Sequence, residues 1–231
     1  MRTTPDILVV CGLNREAGLV AEPGMVTVAG GGDRKALEAR IAALCDRPFA
    51  AVISFGLAGS LSPALAPGAL VIPSAVRYGE TSFSTHSSVV AHWLETVEGR
   101  MQCPSTDDLE ASDVPLLTAA AKHQAAQQGA VAVDMESHIA AADAARRGIP
   151  FAVLRAISDP ADRDLPPLAG TAMRPDGSVD IMGVVAGLAR DPRQLPALLR
   201  TGRDANAAFR TLRRVRGLLG PLFGLLGLDL R

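Results

Sequence analysis

Apolar runs alternate with amphipathic stretches along this chain. Residues 7–12 form a continuous apolar run closed by Gly12, the pattern of a strand buried on both faces. Residues 25–29 and 50–55 repeat it. Between them Asp33 precedes Leu37, Ile41 and Leu44, whose spacing predicts a helix with Asp33 as its N-cap. Asn14 is a candidate cap for a short helix carrying Arg15 and Glu16. Residues 56–60, Gly-Leu-Ala-Gly-Ser, follow the third strand and are expected to form a loop of small residues.

Further on, residues 69–72 and 75–78 are expected as a strand pair around Pro73-Ser74, then a helix over 87–96 and a polar loop over 99–112. A helix over 118–128, a strand over 130–133, a helix over 135–147 stopped by Gly148, and a last strand over 151–157 complete the pattern. Alternating strands and helices predict an α/β fold with a mostly parallel sheet. No internal repeat is evident. Residues 159–180, rich in Pro, Asp and Gly, suit a mobile lid. Ser178, Asp191-Pro192 and Asp204 are the expected openings of three later helices.

In such sheets ligands bind at the carboxyl ends of strands. Glu16, residues 56–60, Glu136 and Asp159 all follow predicted strands, so one crevice can gather them. The acidic pair within Val133-Asp134-Met135-Glu136-Ser137 and Arg155-Ala156-Ile157-Ser158-Asp159 suits chemistry that holds a hydroxyl and donates a proton. Plainer roles exist for each. An Asp after a strand can close a turn, and a glutamate in a first helical turn can merely favour the dipole. Arg155 reads first as a structural ion-pair partner, and the glycines at 30–32 as a loop needing positive φ.

Composition narrows the function classes. A chain of 231 residues with 48% hydrophobic content and a mean hydropathy of +0.22 folds around a sizeable core, as one large domain by default. Net charge is −1 and aromatics are 3%, which disfavours nucleic acid as a partner. Cys11, Cys45 and Cys103 contain no CxxC pair, so neither a disulfide framework nor a metal site is expected, and the compartment reads as reducing cytosol. Cys11 reads as a core residue and Trp93 as core or interface. The first apolar run is too short for a signal sequence or a membrane span. Lysine occurs only at Lys35 and Lys122, which reads as a bias of the coding genome.

The two acidic motifs resemble those of the purine nucleoside phosphorylase and methylthioadenosine nucleosidase superfamily. Asp134-Met135-Glu136-Ser137 looks like its D/E-M-E helix opening. Residues 153–162 look like its V-x-R-A-I-S-D-x-A-D strand and turn, and residues 55–61 like its small-residue loop. The run 129–137 and the arginine-rich tail ending in Gly220-Pro221 are most similar to the hopanoid-associated phosphorylases. The resemblance spans about residues 7–162.

It implies a three-layer phosphorylase/hydrolase-like fold over residues 1–202, with a mixed, mostly parallel central sheet flanked by helices. It also implies cleavage of the N-glycosidic bond of a 5′-modified adenosine, with adenosylhopane favoured and adenine released. No cofactor is expected, phosphate being a candidate co-substrate. Asp159 matches the acid that protonates the purine, held by Ser158. Glu136 matches the carboxylate that accepts ribose hydroxyls, above Met135. Glu16 matches the glutamate that activates water. Leu13, Val133, Leu116, Gly56 and Ala58 fall at substrate-contact positions. Leu57 departs from the small polar residue of the family loop, and Ala111-Ser112-Asp113 only partly matches its base-binding segment. If phosphate were the nucleophile, Arg15, Arg34, Arg155 and the amide of Gly31 are the candidate donors. Glu16 tilts the choice toward water.

The resemblance further implies a homo-oligomer. A methylthioadenosine or S-adenosylhomocysteine nucleosidase, a general purine nucleoside phosphorylase, and a non-catalytic nucleoside-binding protein at a membrane stay open as alternatives. Over residues 203–231 a basic amphipathic helix is expected, with Ala208, Leu212, Val215 and Leu219 at helical spacing among six arginines, then an apolar tail. This segment reads either as a peripheral contact with the inner membrane face or as a helix docked on its own domain.

Overall fold

The computed structural model describes residues 6–170, 174 and 176–228. The expectations that touch residues 171–173 and 175 of the lid, and 229–231 of the tail, lie outside the described residues. In chain order the elements are β1 (Asp6–Cys11), α1 (Asn14–Val20), β2 (Met25–Ala29), α2 (Arg34–Ala42), β3 (Phe49–Ser60), β4 (Leu70–Val71), β5 (Ala75–Tyr78), β6 (Thr81–Ser84) and α3 (Ser87–Val97). There follow β7 (Leu109–Ala111), α4 (Ala119–Ala126), β8 (Ala132–Asp134), α5 (Ser137–Arg147), β9 (Phe151–Asp159), α6 (Pro167–Gly170), α7 (Ile181–Arg190) and α8 (Leu195–Leu219).

The strands form one sheet in the order β2-β1-β3-β8-β7-β5-β6, with β9 pairing β3 and β4. Five of the pairings are parallel and three antiparallel, so the sheet is mixed and mostly parallel. Strand alternation assigns the two faces. Ile7, Val9 and Cys11 join a core under α3 and α8, whereas Leu8 and Val10 join a second core under α2 and α5. Helices on both faces give the three layers expected from the resemblance.

Several local expectations are corrected. Residues 56–60 are no loop: β3 runs on to Ser60, because β9 and then β8 keep its backbone paired. The stretches flanking Pro73-Ser74 do not pair with each other; β4 pairs β9, and β5 pairs β6 and β7. The short strands β6 and β7 lay unseen, β7 within the expected polar loop. Leu13, not Asn14, is the N-cap residue of α1. Asp180, not Ser178, caps α7 by accepting from Gly183 N. Asp33 caps α2 as expected, and Gly148 ends α5 at φ 64°, a conformation glycine adopts without strain.

Asp191-Pro192 opens only a short 3₁₀ turn before α8. Asp204 opens nothing; it lies inside α8 and pairs with Arg163, the helix running unbroken across positions 202 and 203. The inward face of α8, Ala208, Leu212, Val215 and Leu219, is buried in the first core. Trp93 Nε1 donates to Phe223 O at 2.9 Å, and Phe55 meets the Phe223 ring edge-on at 5.6 Å, which seats the tail there too. The apolar stripe is docked on the protein's own domain, the second of the two readings of this segment. Arg200, Arg203, Arg210, Arg213 and Arg214 stay exposed. No helix among the described residues is long and apolar enough to cross a membrane.

Candidate active site

The carboxyl ends of β1, β3, β8 and β9 meet at one cleft of about 200 Å³, partly open to solvent. Glu16, Glu136, Asp159, Met135, Ser158, Val133, Leu116, Ala58 and Leu13 all line it. Leu57, Val114, Pro115 and Leu165 make the rest of its wall largely apolar.

Asp159 is the last residue of β9 rather than part of a turn. Across from it β3 shifts register: Ala58 pairs with Ile157 and Gly59 with Asp159, which leaves Ser158 as the extra residue of a bulge. Ser158 Oγ then lies 2.7 Å from Asp159 Oδ1. Asp159 Oδ2 accepts from the ammonium of Lys122, a buried residue of α4. Lys122 Nζ also donates to Pro160 O at 2.8 Å.

Glu16 sits in the first turn of α1 and is 1% exposed. Its carboxylate accepts three backbone N–H groups, from Gly12, Leu13 and Leu57, each at 2.8 Å. A carboxylate has about four acceptor positions, so one stays free for a ligand or water. Burial raises its pKa, while Arg155 and the three amides pull the other way.

Asp134 holds the start of α5, accepting Ser137 N at 3.1 Å, and is 2.6 Å from Arg155 Nη2. Glu136 is 3.6 Å from the same nitrogen. Arg155 is fully buried and also donates to Ser54 Oγ at 2.6 Å and Leu57 O at 3.2 Å. It sits behind the cleft and holds the acidic cluster together. Burial opposes its charge, but Asp134, Glu136 and Glu16 outweigh that and hold it ionised.

Burial pushes Glu136 up to about 8, against Arg155 and with help from Asp134 and Glu16. An unfolded chain would release this proton near its ordinary value of 4.5. The folded protein thus holds an extra proton between those values, and the group's contribution to stability falls as pH rises through that window. Ribose hydroxyls donating to Glu136 favour its ionised form. Nucleoside binding at neutral pH is therefore expected to release protons. Calorimetry in two buffers of different ionisation enthalpy checks this; equal observed heats would contradict it.

Gly56 does not line the cleft, yet close approach demands it. A Cβ there would stand 2.7 Å from Arg155 Nη1 and 2.7 Å from the Glu16 carboxylate. Gly56→Ala is expected to destabilise the fold by about 1–3 kcal/mol through overpacking, and to displace Glu16. A urea midpoint equal to that of the unaltered protein would refute this.

The candidate phosphate donors do not assemble. Arg15 leaves the cleft to lie 3.8 Å over the Phe209 ring. Arg34 pairs with Glu38 at 2.8 Å and Asp113 at 3.0 Å in a neighbouring cavity. Gly31 N donates to Gly12 O at 2.8 Å. Each of these groups finds a nearer partner within the fold.

Sequence reasoning missed Lys122 and Leu165. The signal for Lys122 was present: a lysine within an alanine run, in a chain whose cations are otherwise almost all arginine. Leu165 comes from the segment after β9, tied to the cleft wall where Leu165 N donates to Leu117 O at 2.7 Å.

Solved structures share this arrangement of elements. An S-adenosylhomocysteine nucleosidase from Streptococcus pyogenes, with 5-methylthiotubericidin, matches at TM-score 0.63 and 16% identity, over 95% of this chain and 98% of that one. A 5′-methylthioadenosine/S-adenosylhomocysteine nucleosidase from Colwellia psychrerythraea, with adenine, matches at 0.63 and 19%, over 95% and 98%. The chain has the nucleosidase fold. A futalosine hydrolase from Helicobacter pylori matches at 0.59 and 16%, over 70% and 90%. The family described as the phosphorylase superfamily matches in sequence over residues 96–173. That stretch contains α4, β8, α5 and β9, which supply Lys122, Glu136 and Asp159. No curated protein matches the sequence.

Proposed function

We propose that this nucleosidase-like chain hydrolyses the N-glycosidic bond of a 5′-modified adenosine and releases adenine. The observation that carries the reading is the convergence of Asp159, Glu136 and Glu16 on one cleft with otherwise apolar walls. Breaking the bond gives the ribose cationic character and sends an electron pair into the purine. Asp159 delivers a proton to purine N7. Ionised Glu136 accepts the ribose hydroxyls, in bonds that strengthen as the ring becomes cationic. Met135 packs beneath the sugar. Glu16, with one acceptor position unused, orients the attacking water.

Water is the favoured nucleophile because Arg15 and Arg34 are engaged away from the cleft. Leu13, Leu57, Val114, Leu116 and Leu165 give the walls an apolar character that suits a hydrocarbon-rich 5′ substituent, and adenosylhopane is the substrate we favour. The protein is proposed to act as a homo-oligomer.

The test is adenine release from adenosylhopane, methylthioadenosine and S-adenosylhomocysteine, each with and without phosphate. Free 5′-modified ribose, formed at a rate indifferent to phosphate, is the expected product. A ribose 1-phosphate would replace water by phosphate. Preference for methylthioadenosine would remove the large substituent. No adenine from any substrate would overturn the reading.

A further inference from the structure

Asp159 faces the cleft already paired to an ammonium. Lys122 Nζ donates to Asp159 Oδ2, to Pro160 O at 2.8 Å and to Arg163 O at 3.4 Å. The lysine side chain is 1% exposed and that of Asp159 10%. Ser158 Oγ occupies the other oxygen at 2.7 Å. A carboxylate oxygen that accepts from a lysine Nζ is placed to take a proton from it. Lys122 Nζ is a single hydrogen bond behind the group that meets the base.

We infer that Lys122 is a positioning residue that stores the proton Asp159 delivers to the purine. The inference rests on the adenine-releasing reading. As the glycosidic bond breaks, its electron pair passes into the base. Purine N7 takes a proton from the Asp159 carboxyl, and Asp159 takes one from Lys122 Nζ. Lys122 is left a neutral amine and Asp159 a carboxylate again. The water that attacks the ribose leaves its hydroxyl there and gives its proton to Glu16. Return of that proton to Lys122 through solvent closes the cycle with atoms and charge balanced. Lysine suits this role because it gives up a proton readily, whereas arginine stays charged.

The fold supports the pairing. Thr118 caps α4 by accepting Ala121 N at 3.1 Å, and Asp164 accepts Ala119 N at 2.7 Å. The first turn of α4 is thereby fixed to the segment that follows Asp159, which places Lys122 under the carboxylate.

The experiment compares the full-length protein with Lys122→Met, Lys122→Gln and Lys122→Arg on two substrates. One is the adenine nucleoside that the unaltered protein cleaves. The other is 4-nitrophenyl riboside, whose leaving group departs without protonation. All variants, the arginine one included, should lose about 100-fold or more in kcat for adenine release, the scale of lost general-acid catalysis. KM should change little, and 4-nitrophenol release should stay near that of the unaltered protein. Full adenine release by Lys122→Arg would overturn the inference in favour of simple charge pairing. Equal losses on both substrates would overturn it in favour of a structural role. The glutamine variant decides if the methionine one fails to fold. No adenine release by the unaltered protein would instead defeat the functional reading itself.

Discussion

Asp159→Asn is expected to lower kcat for adenine release by about 10²–10⁴-fold, the usual worth of a positioned general acid, with nucleoside binding retained. Asparagine has nearly the same shape. Its amide oxygen can still accept from Lys122, and its place at the end of β9 is set by backbone pairing with Gly59. What it lacks is a group that can pass a proton to the purine. Single-turnover adenine release together with calorimetric binding separates the two effects. Unchanged turnover would remove Asp159 as the acid. Lost binding with lost turnover would make it a substrate anchor instead.

Arg155→Met is expected to cost about 3–5 kcal/mol of stability, because it strands buried carboxylates without their counter-charge. The guanidinium has Asp134 2.6 Å away and Glu136 3.6 Å away on one nitrogen, and it touches Ser54 and Leu57 besides. Methionine fills much of the volume and satisfies none of these groups. The loss should shrink as pH falls, since protonated carboxyls need no partner. Urea unfolding at neutral and acid pH measures both effects. An unaltered midpoint at neutral pH would show that the cluster is held by other means.

Much of this fold was legible in local pattern. The run at residues 7–12, the strand at 25–29, the Asp33 cap and the Gly148 stop all sit where their side chains alone place them. The errors fall where distant partners decide. Residues 56–60 look like a loop because small residues favour turns, yet β9 offers them a strand to pair with. Strands β6 and β7, of four and three residues, carry too little alternation to be seen. Asp204 resembles a helix cap until Arg163 is found beside it.

The site divides in the same way. Glu16, Glu136 and Asp159 come together because each lies at or just beyond a strand end, which chain order reveals. Arg15 and Arg34 do not join them, because Phe209 and Asp113 lie nearer and come from far along the chain. Lys122 stood out by its residue type, but its role did not, because its partner is 37 positions away.

One strand touches Glu16, Arg155 and Asp159 in turn. Along β3, Leu57 gives its N–H to Glu16 and its carbonyl to Arg155, Ala58 offers its carbonyl to Ser158, and Gly59 passes against Asp159. Three consecutive residues thus act as a ruler on which acid, base and counter-ion are marked off. A slip of one residue between β3 and β9 would turn each side chain to the opposite face and erase all the marks together. The chemistry of this cleft is accordingly a property of strand register. Variation that keeps the register can adjust the groups singly, while an insertion or deletion within β3 removes them as a set.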